Sequence, residues 1–183
     1  MQKLVAGLVF GMLVLAVGVG GCDLIPSPSS DKVPPARETP SATPTSKPSS
    51  STSTFAALEE YTHELINQYR KSQNLPPLTL DPRISKEARS HSQAMANGAV
   101  PFSHNGFEQR AKAIDKSISY SGASENVAYN QGFSDPAKQA VEGWLKSPGH
   151  LKNIQGQYDL TGVGVAKNAK GEYYLTQIFI KRR

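Results

Sequence analysis

Three polar residues lie in glycine-containing segments that show no helical or strand periodicity: His104, Glu125 and His150. Two imidazoles and a carboxylate suit Zn²⁺, or another divalent cation that accepts nitrogen ligands. Their spacings of 21 and 25 residues are not those of a local zinc motif, and the chain has no His-Glu-x-x-His sequence. The residues alone leave two interpretations open. They form a divalent metal site, or they are loop residues whose polar atoms bond to the backbone.

A further histidine, His91, lies inside a helical pattern. Ile84, Ala88, His91 and Met95 recur at steps of four, three and four residues, so they share one face of a helix. His91 should therefore point inward, either into the core or onto the floor of a cleft, and we interpret it as a packing residue rather than a ligand. The chain has no Gly-x-Ser-x-Gly elbow, which disfavours a serine nucleophile.

The elements that must position these residues are predicted from periodicity and from helix-start signals. Helices are expected over 55–73 and 82–97, after Gly106, and over 136–147, the second and the fourth beginning at Asp-Pro pairs. After residue 158, two β-rich runs flank the loop sequence KNAKG, and the second run is apolar on both faces. This order predicts an α+β fold in which helices pack on a short antiparallel sheet.

The N-terminal 21 residues have the layout of a secretory signal peptide, with Lys3 followed by an apolar, glycine-containing run of 18 residues. A run of this length is also at the lower limit for a retained membrane span. The sequence VGVGGC leads into Cys22, the only cysteine, and resembles a bacterial lipoprotein box. We therefore expect lipidation of Cys22 and anchoring to a membrane, with a free thiol or an intermolecular disulfide as the alternatives.

Residues 22–54 contain seven prolines, nine serines and five threonines, a composition that predicts a disordered tether. Residues 55–183 are long enough to form one domain with its own core. The net charge of +5 is scattered, and only the sequence KRR at 181–183 is clustered. Nucleic acid is therefore not expected as a partner, and binding to an anionic wall polymer is a minor alternative.

A series of motifs in residues 55–183 resembles the CAP superfamily, which comprises cysteine-rich secretory proteins, antigen 5 and pathogenesis-related 1 proteins, in its bacterial branch. The motifs are NQYR at 67–70, FSH at 102–104, SENVA at 124–128, WLKSPGHLKNI at 144–154 and TGVGVA at 161–166. The resemblance implies a three-layer α-β-α sandwich with the short antiparallel sheet between the helices.

The resemblance also implies a cleft that carries two histidines and two glutamates. His104, Glu125 and His150 match three of these positions. The second glutamate should follow Trp144 closely, but it is missing, and Ser147 stands near its place. The expected cleft therefore has His104 and His150 as metal ligands, and Glu125 accepting a hydrogen bond from one of them or from a bound water.

Three functions are compatible with these residues. The first, which we favour because the acid/base set is incomplete and the tether is long, is an extracytoplasmic binding module. Its cleft would hold a lipid, a peptide or a wall fragment, with or without a divalent cation. The second is a metal-dependent protease or nuclease in which Glu125 is the general base. The third is an interaction protein that binds through surface loops and has an inactive cleft.

Overall fold

The structure is a computed structural model that describes residues 50–183, with side chains from Thr54 onward. The predicted signal peptide, Cys22 and the predicted tether up to residue 49 lie outside the described residues. Over residues 50–183, no helix is both long and apolar enough to cross a membrane.

Residues 50–183 form five helices and four strands. They are α1 (Ser50–Ser72), β1 (Thr79–Leu80), α2 (Pro82–Ala96), α3 (Phe107–Asp115), β2 (Tyr120–Gln131), α4 (Pro136–Lys146), α5 (Pro148–Ile154), β3 (Leu160–Lys167) and β4 (Glu172–Arg182). The four strands form one sheet in the order β1-β3-β4-β2. Strand β4 is antiparallel to both neighbours, as predicted, whereas the two-residue strand β1 runs parallel to β3.

The sheet is the middle of three layers, which confirms the α+β class and the α-β-α sandwich. Helices α1, α4 and α5 cover one face, where Ile66, Trp144 and Ile154 pack against Leu175 and Phe179. Helices α2 and α3 cover the other face, where Ile84 and Ile114 contact Ile178 and Ile180. Alternate residues of β4 therefore enter two separate cores, which explains why its sequence is apolar on both faces.

Three elements differ from the sequence-based expectation. Residues 120–131 form the longest strand of the described chain, β2, although the segment around Glu125 shows no strand periodicity in the sequence. Its polar side chains face both layers, so it lacks the alternation that identifies a strand. A fifth helix, α5, begins at Pro148, where no helix was predicted, because proline suits the first position of a helix as well as the end of one. Helix α1 begins at Ser50, five residues before the expected domain boundary.

The two Asp-Pro pairs start helices as predicted. The Asp81 carboxylate accepts the backbone N–H of Arg83 at 2.9 Å, and the Asp135 carboxylate accepts that of Lys138 at 2.9 Å. Each cap satisfies one of the unpaired N–H groups in the first turn. These caps fix where α2 and α4 begin, and α4 leads directly into the helix that carries His150.

Arg70 connects the end of α1 to the end of α5. Its side chain is buried, with the residue 1% exposed, and it donates to three backbone carbonyl oxygens. These belong to Pro76 at 2.8 Å, Ile154 at 2.6 Å and Gly156 at 3.0 Å. A cation at the C-terminal carbonyls of a helix is favourable, so Arg70 fixes the C-terminal end of α5 and thereby the position of His150.

Helix α1 also closes the free edge of β3. Strand β1 pairs with residues 160–161 alone, which leaves the rest of this edge without a neighbouring strand in the described chain. Glu59 accepts the N–H of Val165 at 3.2 Å and forms an ion pair with Arg89 at 2.7 Å. The buried carboxylate thus replaces the acceptor that a further strand would supply.

Helix α2 lies directly on the backbone of β3 at two glycines. A Cβ atom added to Gly162 would lie 2.3 Å from the backbone nitrogen of Ser85, and one added to Gly164 would lie 2.1 Å from that of Arg89. Both distances are too short for any side chain, and the atoms that would be struck belong to the helix backbone. The sequence TGVGVA therefore sets the spacing between α2 and the sheet.

We expect Gly164→Ala to destabilise the domain, because α2 would have to move away from β3. The loss in the free energy of unfolding should be about 2 kcal/mol or more, as in other overpacked cores. Urea denaturation followed by far-UV circular dichroism measures it. Gly122→Ala is the matched control, since its new methyl group would lie 3.6 Å from Lys181 Cβ, an ordinary contact. Equal stability of the two variants would contradict this role of Gly164.

Candidate functional site

The site is built around the carboxylate of Glu125, which projects from β2 towards the α2–α3 layer. Its side chain is 1% exposed, and Arg110 on α3 donates to both of its oxygens, from Nε to Oε2 at 2.9 Å and from Nη2 to Oε1 at 2.8 Å. Arg110 also donates to the backbone carbonyl of Asn105 at 2.9 Å. The ion pair neutralises a buried charge and holds the loop before α3 against the edge of the sheet.

His104 lies in this loop and meets the same carboxylate. Its Nδ1 is 3.0 Å from Glu125 Oε1. A carboxylate paired with arginine can only accept hydrogen bonds, so Nδ1 is the donor. In the neutral ring, the lone pair is then on Nε2. The His104 side chain is 51% exposed, so this nitrogen belongs to an imidazole that solvent reaches. Such a carboxylate–histidine pair orients a ligand imidazole.

His150 approaches His104 from the opposite layer. The two ring centroids are 6.2 Å apart. Asn126 on β2 donates to the backbone carbonyl of His150 at 3.2 Å, and Asn153 on α5 donates to Asn126 Oδ1 at 2.9 Å. Strand β2 is the edge of the sheet, so side chains from both helical layers can meet along it. The structure thus brings together His104, Glu125 and His150.

Two further interactions join α4 and α5 to the backbone of β2. Trp144 Nε1 donates to the carbonyl oxygen of Val127 at 2.9 Å, and Asn153 Nδ2 donates to that of Glu125 at 3.2 Å. Both carbonyls are on the outer edge of the strand, where no other strand of residues 50–183 pairs. The edge is therefore closed by side chains next to the histidines.

The other two predicted cleft residues have different surroundings. His91 is 4% exposed, and its Nε2 donates to the backbone carbonyl of Ser103 at 2.9 Å, which holds the loop next to His104. Ser147 lies between α4 and α5, and it lines the same cleft as His150. His91 therefore contacts the loop behind the histidine pair, while Ser147 borders the cleft itself.

The histidine pair fits a divalent cation only in part. Catalytic zinc sites have three protein ligands, and structural sites have four. Among residues 50–183, no group of three or more His, Cys, Asp or Glu side chains could hold a metal ion. His104 through Nε2 and His150 could supply two nitrogen ligands, and the remaining positions would belong to water or to a bound molecule. The donor set therefore fits an open site and not a closed structural one.

Burial affects the protonation of two histidines. It lowers the pKa of His150, and the nearby His104 lowers that pKa further. Burial also lowers the pKa of His91, although the hydrogen bond to Ser103 opposes the shift. Both rings are therefore biased towards the neutral form, in which an imidazole can act as a ligand or accept a hydrogen bond.

Sequence reasoning missed three residues that build the site: Arg110, Asn126 and Asn153. Arg110 lies three residues after Phe107 and four before Ile114, so it shares their face of α3, and its side chain is only 11% exposed. A charged residue at an inward-facing position requires a buried partner, and this was the available signal. Asn126 and Asn153 gave no such signal, because their roles depend on the contact between β2 and α5 in the folded domain.

The chain matches the model of the cysteine-rich secretory protein family, CAP, over residues 63–179. This segment begins within α1 and ends within β4, so the α-β-α sandwich is a CAP domain. The chain belongs to the cysteine-rich secretory protein family. The single cysteine of the sequence, Cys22, lies before the matched segment, so the domain itself holds no disulfide.

Two of the proteins to which the chain is similar come from bacteria. It is 34% identical over 139 residues to the YkwD protein of Bacillus subtilis, which is 72% of this chain and 49% of that protein. An extracellular protein with an SCP domain from Bacillus anthracis is 28% identical, with a TM-score of 0.60 over 76% of this chain and 45% of that one. The chain thus spans about half the length of these relatives.

A third comparison concerns the fold alone. An outer surface protein of Borrelia burgdorferi is 22% identical, with a TM-score of 0.58. The alignment covers 68% of this chain and 92% of that one. The same sandwich therefore forms nearly the whole of that structure.

We expect Glu125→Gln to destabilise the domain, because Arg110 would keep its buried charge and lose its partner. Breaking one half of such a pair costs on the order of 3 kcal/mol of unfolding free energy. Chemical denaturation measures the loss. Glu108→Gln, at an exposed position on α3, is the control and should change stability by less than about 0.5 kcal/mol. A fully stable Glu125→Gln variant would show that the ion pair does not hold the loop.

We also expect the domain to lose stability as the pH falls from about 7.5 to about 5.5. The unfolded histidines take up protons near pH 6.5, whereas His91 and His150 do so at lower pH in the folded state. The stability that these two histidines contribute is therefore fully present above their unfolded pKa, and it decreases as the pH falls below that value. Urea midpoints at the two pH values measure the effect. An equal pH dependence in the double variant His91→Gln/His150→Gln would contradict it.

Proposed function

We propose that this chain is an extracytoplasmic binding module that captures a ligand in the cleft between His104 and His150. The observation that carries the proposal is that both oxygens of the Glu125 carboxylate already have hydrogen-bond partners. Both carboxylate oxygens already bond to Arg110, and one of them also bonds to His104. The cleft therefore offers imidazoles for binding, while its buried acid serves to hold the site together.

The contacts of Glu125 weigh against the hydrolase alternative. A general base must accept a proton from a water within hydrogen-bond reach of it. The Glu125 side chain is 1% exposed and forms an ion pair with Arg110, which occupies its oxygens and leaves little access for water. The position near which the family's second glutamate was expected carries Ser147. Binding is the function that these residues support better.

A divalent cation would be an optional part of this cleft. His104 and His150 would hold it, and its open positions would accept an oxygen of the captured molecule. The cation would contribute a local positive charge that attracts such an oxygen. Glu125 would keep the His104 ring in the tautomer whose Nε2 carries the lone pair.

We further propose that the module acts outside the cytoplasm on a membrane tether. The support comes from the signal-like residues 1–21 and the lipobox-like sequence that ends at Cys22. The name of the Bacillus anthracis relative describes an extracellular protein. A lipid on Cys22, followed by a proline- and serine-rich segment, would place the cleft away from the membrane surface.

Calorimetric titration of Zn²⁺ into the full-length chain tests the cleft. The wild type should bind, and His150→Ala and His104→Ala should each weaken binding at least about tenfold, because each removes one of two nitrogen ligands. His63→Gln is the control, since His63 lies on α1 and bonds to the carbonyl of Leu78. Absence of Zn²⁺ binding, or binding that both alanine variants retain, would contradict the metal-holding role.

A further inference from the structure

A groove of about 290 Å³ extends from His150 along the edge of β2. We call it the edge groove. One wall is aromatic and consists of Phe102 and Tyr129. The other wall is formed by α4 and α5 and carries Gln139, Gly143, Ser147 and His150. The volume is near the lower end of the range for ligand pockets, which suits one or two small rings rather than a large molecule.

The aromatic wall is exposed, and the ring of Tyr129 within it is held by a hydrogen bond. Phe102 is 52% exposed and Tyr129 is 44% exposed, and their ring centroids are 6.2 Å apart. The Tyr129 hydroxyl donates to Glu172 Oε1 at 3.1 Å, and the neighbouring Tyr174 hydroxyl donates to Oε2 at 3.4 Å. The ring of Tyr129 is therefore held at its polar end. Such a surface can stack against a flat apolar face without losing much side-chain entropy.

The helical wall offers polar groups that the domain does not use. The side chains of Gln139, Ser147 and His150 make no hydrogen bond within the described part of the chain. They follow one another along α4 and into α5, and they line the same groove as the aromatic wall. A few convergent polar groups opposite an apolar surface are typical of a small-molecule site.

Gly143 lies in the middle of the helical wall, inside α4. A glycine in a helix interior costs about 1 kcal/mol relative to alanine. Close packing does not explain this one, because a Cβ atom at Gly143 would meet nothing within 4 Å. Gly162 and Gly164 differ from Gly143 in this respect, since a Cβ atom at either position would strike the backbone of α2. The missing side chain at Gly143 instead keeps the centre of the groove open.

The chemistry of the two walls discriminates between ligands. A lipid tail would leave the polar groups of the helical wall unpaired. An extended peptide would need the outer edge of β2, but the carbonyls of Glu125 and Val127 already accept from Asn153 and Trp144. A sugar ring has a flat C–H face that can stack on Phe102 and Tyr129, and a rim of hydroxyls that can bond to the opposite wall.

We propose that the edge groove binds a sugar ring of a glycan. The inference rests on the proposed function, since it names the ligand class that the cleft captures. The sugar ring would stack between the aromatic wall and the backbone at Gly143. Its hydroxyls would bond to Gln139, Ser147 and His150, so that one end of the ligand reaches the histidine pair.

The test is a titration of the full-length chain with a β-1,4-linked N-acetylglucosamine tetramer. The fluorescence of Trp144 is the readout, because it is the only tryptophan of the sequence and it lines the groove. The wild type should show saturable binding. Phe102→Ala should weaken it about tenfold, and Gly143→Leu should abolish it by filling the groove.

Two controls separate binding from folding. Phe133→Ala removes an exposed aromatic residue outside the groove and should leave affinity unchanged. Gly143→Ala should raise the midpoint of thermal unfolding, because alanine favours the helix and its methyl group meets open space. A lower midpoint would mean that the glycine serves the fold, which would overturn this account of Gly143.

The inference is overturned if the tetramer does not bind, or if Phe102→Ala and Gly143→Leu bind it like the wild type. The Zn²⁺ titration distinguishes a failure of the glycan assignment from a failure of the proposed function. If the sugar fails to bind while Zn²⁺ binding still depends on His104 and His150, only the glycan assignment falls. If neither binds, the proposed function falls with it.

Discussion

Glu125 places a carboxylate inside the domain, where an unpaired charge would be strongly unfavourable. Arg110 compensates this charge from α3, and His104 bonds to the same group from the preceding loop. The charge therefore determines where the loop lies, how the His104 ring is oriented, and how closely α3 approaches the sheet. The position and the tautomer of His104 and the conformation of its loop therefore all depend on the ion pair between Glu125 and Arg110.

The opposite half of the cleft depends on neutral hydrogen bonds instead. Asn126, adjacent to Glu125 on β2, faces the other layer and bonds to the backbone of His150. Arg70 fixes the far end of the same short helix. Because successive residues of a strand point to opposite faces, two neighbouring side chains of β2 position two histidines from two different layers. A shift of β2 by one residue would exchange these roles and disrupt both halves.

The sequence allowed helices α1 to α4, the central strand β4 and the group of His104, Glu125 and His150 to be predicted, because apolar periodicity, Asp-Pro caps and ordered motifs are local signals. The strand β2 could not be recognised, since Glu125 and Asn126 are polar residues buried on opposite faces, and their burial depends on partners distant in the chain. Helix α5 was missed because Pro148 ends one helix and begins the next. Arg110 follows the helical spacing of Phe107 and Ile114, but its ion partner emerges only from the tertiary fold.

The sheet has two outer edges, and side chains close parts of both: Glu59 and Arg89 beside β3, and Trp144 and Asn153 beside β2. These contacts occupy the backbone groups through which a second copy would extend the sheet. Crowding many copies on a surface raises their effective concentration and would promote such edge-to-edge aggregation. Closed sheet edges therefore limit edge-to-edge pairing of this domain even at high local concentration.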